Sequence, residues 1–199
     1  MEAGAGMRDL DERELVERAR HDADAFAALY RRYVERIHAF AYRRTGSREI
    51  AEDVTAATFE KALRYLHTFD WRTGGFAPWV FRIAANELAT HYRKEYRTKT
   101  AKAQATFRTL QPSVDDGGYD EIERRLDEPV GQVRLAMDRL SPRYQEALTL
   151  RFLSGLSLDQ AAAAMRCSKP AMSVTVHRAL KALREAMVAP GQTAGKVER

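Results

Sequence analysis

The sequence predicts an all-α fold of two small helical domains joined by a flexible linker. Apolar residues recur at helical spacing in both halves of the chain, whereas the stretch between them is polar and irregular and contains Pro and Gly-Gly. The second half also shows the helix start and stop signals of a helix-turn-helix. We expect domains over residues 10–97 and 130–188, a flexible linker over 98–129 and a disordered tail over 189–199.

The first domain is predicted to be a bundle of about four helices. An apolar stripe with steps of three, four and seven, which includes Tyr30, continues until Gly46 ends it. A second helix from about Ser47 presents an inner row that includes Leu63, and its charged side chains are left for solvent or a partner.

A third helix follows the loop FDWRTGGFAP, and its basic, aromatic second half resembles a nucleic-acid surface in composition. It supplies base-edge donors, stacking rings and phosphate-binding cations, which suit unpaired DNA. These side chains are Asn86, His91, Tyr92, Arg93, Lys94, Tyr96 and Arg97. The aromatic residues of this loop can either contact an extruded base or pack into the core. We expect Phe76 and Trp79 to pack into the core, and the sequence does not decide between the two for Trp71.

The second domain carries helix start and stop signals in close order. Ser141 is placed to cap a helix that runs to about Leu153, and Gly155 ends it. Residues 157–160 fit a capping box that opens an alanine-rich helix, and Ser168 is placed to cap a third helix.

The third of these helices is basic, which favours docking on DNA. It carries Lys169, Arg178, Lys181 and Arg184. The same pattern also fits three amphipathic helices of a larger bundle with a solvated basic face.

Composition favours a nucleic-acid partner and excludes other classes. The formal net charge is +5, and the single Cys167 excludes an internal disulfide and a thiolate zinc site. The five histidines show no metal-ligand spacing, and no phosphate loop or nucleophile motif is present, so we expect no enzyme, metal or cofactor. Neither a signal peptide nor a run of about 18 apolar residues is found, so we expect a cytoplasmic protein without membrane insertion.

Several stretches, taken in order, resemble the extracytoplasmic-function (ECF) class of bacterial sigma factors. The segments AFAALYRRYVERIHAFAYRRTG, AEDVTAATFEKAL and FAPWVFRIAANELATHYRK resemble its first conserved domain, and LSPRYQEALTLRFLSGLSLDQAAAAM with the next helix resembles its second. The resemblance implies a sigma-2-like bundle, a sigma-4-like helix-turn-helix, and a subunit that gives RNA polymerase its promoter recognition.

For the first domain, the resemblance implies contact with the β′ coiled coil of core RNA polymerase through the helix over residues 51–63. The expected polymerase-binding residues are Glu52, Asp53, Thr55, Ala56, Phe59 and Glu60. The loop and helix over residues 69–97 would open the minus-ten element of promoter DNA. Asn86 matches a base-reading position, and Arg82 and Arg93 match cations near the strand backbone.

For the second domain, the resemblance implies contact with the β flap and docking of the last helix in the major groove of the minus-thirty-five element. The expected contacts there are Ser168, Lys169, Ser173, Thr175, His177, Arg178 and Lys181. The family also implies an anti-sigma factor that masks both domains.

Three departures from the family pattern matter. Ala56-Ala57 replaces a common Gln-Glu pair, which removes polar contacts to polymerase. Residues 172–175 lack the arginines that often read the minus-thirty-five element, at a cost of roughly 1–3 kcal/mol for each lost contact. Arg166 stands where the family usually has Gly, so a positive φ there would be strained.

Two other functions fit parts of the sequence. A sigma-like mimic that sequesters an anti-sigma factor would need no DNA contact, which the altered recognition helix permits. A polymerase-independent helix-turn-helix regulator would need an oligomerising helix, and the sequence shows no dedicated one.

Overall fold

A computed structural model describes residues 11–106 and 128–188. The side chains of Thr73 and of residues 96–131 are not described. The predicted tail and most of the predicted linker therefore lie outside the described residues. All regular structure in the described ranges is helical, as the sequence predicts.

The first domain consists of four α-helices with two short 3₁₀ turns between the third and the fourth. The helices are α1 (Glu12–Ala19), α2 (Ala23–Thr45), α3 (Arg48–Tyr65) and α4 (Phe76–Thr106), and the turns are Leu66–Thr68 and Trp71–Thr73. The buried faces of α1 to α4 form the core of this domain.

Local chemistry explains the helix ends in this domain. The carboxylate of Asp22 accepts from the backbone N–H groups of Asp24 and Ala25, so the predicted apolar stripe is divided between α1 and α2. Gly46, with φ of 67°, ends α2 in the left-handed conformation that favours glycine. Ser47 accepts from Ile50 N and caps α3, which begins where the sequence predicts the second helix.

Two predicted core residues lie at the surface. Tyr30 is exposed and makes an edge contact with Phe59 at 4.7 Å between ring centroids. Leu63 is 56% exposed because it lies on the outer side of α3, away from the inner row that ends with Ala62. The prediction of inward positions was wrong for both residues.

The fourth helix is longer than predicted. Helix α4 continues past Arg97 to Thr106, so the first part of the segment assigned to a flexible linker is helical. Residues 98–106 carry no Pro or Gly, and their Ala, Lys and Gln are good helix formers, which the prediction underweighted.

The second domain consists of four α-helices and a π-helical turn. The helices are α5 (Glu128–Asp138), α6 (Pro142–Leu148), α7 (Leu158–Ala164) and α8 (Lys169–Val188), and the turn is Thr149–Leu153. The capping box of Ser157 and Gln160 is confirmed at the start of α7. Ser141 precedes α6 as predicted, but its side chain makes no capping hydrogen bond.

The two domains pack against each other in this structure. Helix α7 lies between α4 and α8, and the buried apolar cluster continues from Phe81 and Ala84 of α4 to Ala161 of α7 and Met172 of α8. The sequence left the relative orientation of the domains open.

Candidate nucleic-acid interface

One exposed face of α4 carries the central part of the candidate single-strand surface. Asn86 and Arg93 are both exposed and lie within about 20° of each other around the helix axis. The Arg93 guanidinium donates to Ala89 O at 3.1 Å and to the Thr90 hydroxyl at 3.2 Å. Thr90 lies beside Asn86 on this face, so it is a candidate contact that the sequence analysis missed, although its spacing of four from Asn86 could have indicated it.

The other predicted residues on this half of α4 do not share that face. The Tyr92 hydroxyl donates to the carbonyl of Arg44 at the end of α2, so Tyr92 joins two helices. His91 Nε2 lies 4.0 Å from Glu95 Oε2, and Lys94 is exposed about 80° around the axis from Asn86. The side chain of Arg97 is outside the described set.

Arg82 shares the face of Asn86 but is engaged with the second domain. Its guanidinium donates to Ala164 O at 3.3 Å and to Ala163 O. Burial, and then the neighbouring Arg166, lower the pKa of Arg82 from its ordinary value. Arg82 is therefore not presented to solvent with Asn86 and Arg93 as the sequence analysis expected, because α7 occupies its donors.

The aromatic loop is packed onto the domain. Phe76 is fully buried, and Trp79 is half-buried with its ring 5.5 Å from that of Phe76, as expected for a plugged loop. Trp71, which the sequence left open, is half-buried against Phe69 at 5.1 Å. Its indole N–H donates to Glu17 of α1 at 3.1 Å, so only part of the Trp71 ring is open to a partner.

The second candidate surface is the outer face of α8. Lys169, Ser173, His177 and Lys181 follow each other at steps of four and are all exposed. Lys169 pairs with Asp159 of α7 at 2.9 Å, and Arg178 is exposed at the edge of this row. Ser168 acts as the N-cap, because its hydroxyl accepts from Ala171 N at 3.3 Å.

The structure corrects the prediction for Thr175, one of the expected minus-thirty-five contacts. It is 8% exposed, and its hydroxyl donates to Ala171 O at 2.8 Å. Met172 and Ala179 are buried on the same side of α8, which packs on the domain core. The position is therefore a core position, and its polar hydroxyl is satisfied within the helix.

The predicted polymerase-binding surface on α3 is partly exposed. Glu52, Asp53, Ala56 and Glu60 are exposed, and two of them form ion pairs along the helix, Glu52 with Arg48 and Glu60 with Arg64. Leu63 adds an exposed apolar side chain to the same face as Ala56 and Glu60. Leu63 was predicted to point inward with Ala62, so it was not among the expected polymerase-binding residues.

The structure corrects the prediction for two residues of this surface, Thr55 and Phe59. Thr55 is 6% and Phe59 5% exposed, so neither side chain is available to a partner in this structure. The Thr55 hydroxyl donates to Ala51 O at 2.6 Å, and Phe59 is covered by the ring of Tyr30.

Two further observations concern other classes of site. Among residues 11–106 and 128–188, no group of three or more His, Cys, Asp or Glu side chains is placed to hold a metal ion. Within the same ranges, no helix is both long and apolar enough to cross a bilayer.

Comparison with known proteins supports the two-domain arrangement. Residues 29–98 match the Sigma-70 region 2 family, and residues 130–183 match the Sigma-70, region 4 family. The chain is 34% identical over 177 residues to the ECF RNA polymerase sigma factor BldN of Streptomyces coelicolor. That match covers 85% of this chain but 63% of BldN. It is 29% identical over 166 residues to the RNA polymerase sigma factor YlaC of Bacillus subtilis, which covers 82% of this chain and 92% of YlaC.

Two solved structures share the fold. CnrH in complex with the cytosolic domain of CnrY has a TM-score of 0.66 at 22% identity, covering 90% of this chain and 99% of that one. The sigma factor RpoE in complex with the anti-sigma factor NepR from Bartonella quintana has a TM-score of 0.57 at 23% identity, covering 83% and 98%. Because the region 2 and region 4 families both match and the curated relatives are sigma factors of this class, the chain belongs to the ECF class of RNA polymerase sigma factors.

Proposed function

We propose that this chain binds bacterial core RNA polymerase and directs promoter recognition, DNA melting and transcription initiation. The observation that carries the proposal is a pair of exposed DNA-compatible helix faces, one in each domain. The face of α4 offers an amide and a guanidinium at Asn86 and Arg93, and the face of α8 offers cations and hydrogen-bonding groups in a row. A protein that touched DNA at a single site would need only one of them.

The roles of the two faces follow from their chemistry. An Asn amide donates and accepts at once, so Asn86 can pair with a base edge, while Arg93 neutralises the adjacent phosphate. On α8, Ser173 and His177 can reach base edges in the major groove, and Lys169, Arg178 and Lys181 can contact phosphates. The cations contribute affinity that falls with salt, and Asn86 contributes sequence preference.

The proposed polymerase contact is the outer face of α3. Glu52, Asp53 and Glu60 surround Ala56 with carboxylates, two of them paired with arginines, and Leu63 gives this face an apolar end. We assign this face of α3 as the contact to the β′ coiled coil of polymerase, and the second domain as the contact to the β flap. The proposed domain boundaries are residues 10–97 and 130–188. Helix α4 extends past the first boundary, so we assign the tether to the segment after Thr106.

The chain is proposed to act without catalysing a reaction and to work in the cytoplasm, where polymerase is found. An anti-sigma factor is the proposed inhibitory partner, since the RpoE structure of the same fold carries one.

The test is run-off transcription with purified core polymerase, this chain and a fragmented library of its source genome, followed by sequencing of transcript starts. Starts that share a pair of spaced upstream elements are expected. An absence of transcription together with binding to an anti-sigma factor would contradict the proposal and favour the mimic.

The polymerase contact has its own test. Ala56→Arg places a long charged side chain in the exposed face of α3 and is expected to reduce binding to core polymerase at least tenfold. Ala23→Arg, at an exposed alanine at the start of α2, is the matched control and should leave binding to polymerase unchanged. Equal binding by both variants would contradict a polymerase contact on α3.

A further inference from the structure

Helix α1 contacts the aromatic loop between α3 and α4 through three side chains. The carboxylate of Glu17 accepts the indole N–H of Trp71 on Oε1 at 3.1 Å, and its Oε2 lies 3.2 Å from Arg20 Nε. Arg20 donates to Phe69 O at 2.9 Å, and the Arg13 guanidinium lies over the Trp71 ring, 5.8 Å from the ring centre. One short helix therefore holds both a side chain and the backbone of this loop.

Helix α1 is itself fixed to the rest of the first domain. Leu15, Val16 and Ala19 are buried in the core, and the Tyr33 hydroxyl of α2 donates to the carboxylate of Glu12. Burial, and then this hydrogen bond to Glu12, raise the pKa of Tyr33, so its hydroxyl remains a donor at neutral pH. The contacts to the loop are thus directed from a rigid support.

The loop depends on such a support because glycines connect it to α4. Gly74 and Gly75 have φ of 97° and 101°, and together they separate the second 3₁₀ turn from α4. Glycine has more backbone freedom than any other residue, so the covalent connection to α4 does not by itself place Trp71. The placement of this ring rests on Glu17 and on Phe69, whose ring centre is 5.1 Å away.

The loop adjoins the face of α4 that carries Asn86. Trp79 lies within about 20° of Asn86 around the helix axis and about 10 Å closer to the loop along it. The Phe69 ring contacts the rings of both Trp71 and Trp79, at 5.1 and 5.3 Å between centroids. A row of aromatic rings therefore leads from the exposed part of Trp71 to the Asn86 face, and a DNA strand that follows this face meets Trp71 at its end.

The open part of the Trp71 ring has the chemistry of a stacking site for an unpaired base. Arg13 lies over the ring and is exposed, and Arg72 next to it is 90% exposed although it pairs with Asp70. Aromatic rings flanked by cations bind single strands, because the ring stacks on a base and the cations approach the phosphates. Stacking depends on the orientation of the ring, and the hydrogen bond to Glu17 sets that orientation.

We propose that Glu17 is a positioning residue for promoter opening, which holds Trp71 so that the open part of its ring stacks on an unpaired base near the one read by Asn86. Glu17 acts through Trp71 and needs no contact with DNA of its own. Helix α1 thereby belongs to the DNA-reading surface, although it lies outside residues 29–98, which match Sigma-70 region 2. The proposal rests on the sigma-factor function proposed above.

Fluorescence of the full chain tests whether Glu17 holds the ring. Trp79→Phe keeps an aromatic ring and leaves Trp71 as the only tryptophan, so time-resolved anisotropy reports the motion of Trp71. In this background, Glu17→Ala is expected to add a fast depolarisation phase, whereas Glu17→Gln keeps an oxygen that accepts the indole N–H and should not. Glu14→Ala is the matched control, because Glu14 is an exposed acid of the same helix that pairs with Arg18. An unchanged anisotropy decay in Glu17→Ala would overturn the proposal.

The consequence for DNA is tested with the complex of core polymerase and this chain, on a promoter obtained from the genomic library. Glu17→Ala and Trp71→Ala are each expected to reduce open-complex formation about tenfold, the size of one lost base–aromatic stack. Glu17→Gln should restore most of the activity, and Glu14→Ala should not change it. An abasic site at one position of the non-template strand is expected to remove the difference between the parent and both variants, because the base that Trp71 contacts is then absent.

The outcomes separate this inference from the sigma function. Normal promoter opening by Glu17→Ala, or a scan in which no abasic site removes the difference, would overturn the role of Glu17 and leave the sigma function standing. Weaker binding of Glu17→Ala to core polymerase would assign α1 to polymerase instead of DNA and would also overturn it. A parent chain that opens no promoter would contradict the sigma function, and this inference with it.

Discussion

Lys61 Nζ lies 2.6 Å from Glu87 Oε1, and this ion pair joins α3 to α4 directly beside Asn86. The Glu87 side chain is only 13% exposed, whereas that of Lys61 is 44% exposed. The pair therefore connects the proposed polymerase-binding helix to the proposed DNA-reading helix, next to the position from which Asn86 faces outward.

Glu87→Gln is expected to lower the free energy of unfolding by about 1 kcal/mol, because it removes the charge from a half-buried pair while Lys61 can still turn to water. The corresponding fall in melting temperature is about 3 °C. Glu60→Gln is the matched control, since its pair with Arg64 is exposed on both sides, and it should change stability by less than about 0.5 kcal/mol. Equal effects of the two variants in thermal unfolding would argue against a structural role for the Lys61 pair.

Asn86→Ala is expected to reduce open-complex formation about tenfold or more, because a bidentate base contact contributes roughly 1–3 kcal/mol. The side chain is exposed, so the melting temperature should not change. Asn86→Gln keeps the amide and should recover part of the activity. Normal promoter opening by Asn86→Ala, measured by permanganate reactivity of unpaired thymines, would refute the assignment.

Arg166→Gly is expected to raise the free energy of unfolding by about 1 kcal/mol. Arg166 has φ of 52° in the turn between α7 and α8, a conformation that costs a side-chain-bearing residue about 1 kcal/mol or more. Arg166→Ala removes the same charge but keeps the Cβ, so it should bring no such gain. A similar gain from both variants in denaturant unfolding would assign the effect to the repulsion between Arg166 and Arg82 instead of to the backbone.

Ser173→Arg is expected to shift the minus-thirty-five preference or to raise promoter affinity, because the position is exposed in the middle of the α8 row. Thr175→Arg, two residues further, should instead destabilise the protein by about 2 kcal/mol or more, since it buries a charge in the core. Transcript-start profiling together with thermal unfolding separates the two outcomes. An unchanged promoter profile for Ser173→Arg would argue against docking of α8 in the groove.

The sequence predicts the helices and their caps well because those signals are local. Asp22 is an exception that shows the limit, since a single capping carboxylate divided an apolar stripe that looked continuous. Leu63 and Tyr30 show a second limit. An apolar residue at helical spacing is buried only if another element covers it, and nothing in the local pattern says which ones are covered.

Part of the candidate site was also predictable from local signals. Asn86 and Arg93 emerge on one face because helix geometry alone places them there. Thr55, Phe59 and Thr175 were misplaced because a family resemblance names segments, and burial within a segment depends on tertiary packing. The engagement of Arg82 by α7 joins residues some 80 positions apart in the chain, and no local pattern encodes such a contact.

The alanines of α7 set how closely the two domains pack. Each carries only a methyl group, so the backbone of α7 comes near enough to α4 for the Arg82 guanidinium to donate to the carbonyls of Ala163 and Ala164. A leucine in this run would hold the two backbones apart and break these hydrogen bonds. The run of alanines at 161–164 therefore makes backbone carbonyls, and not only apolar side chains, part of the junction between the domains.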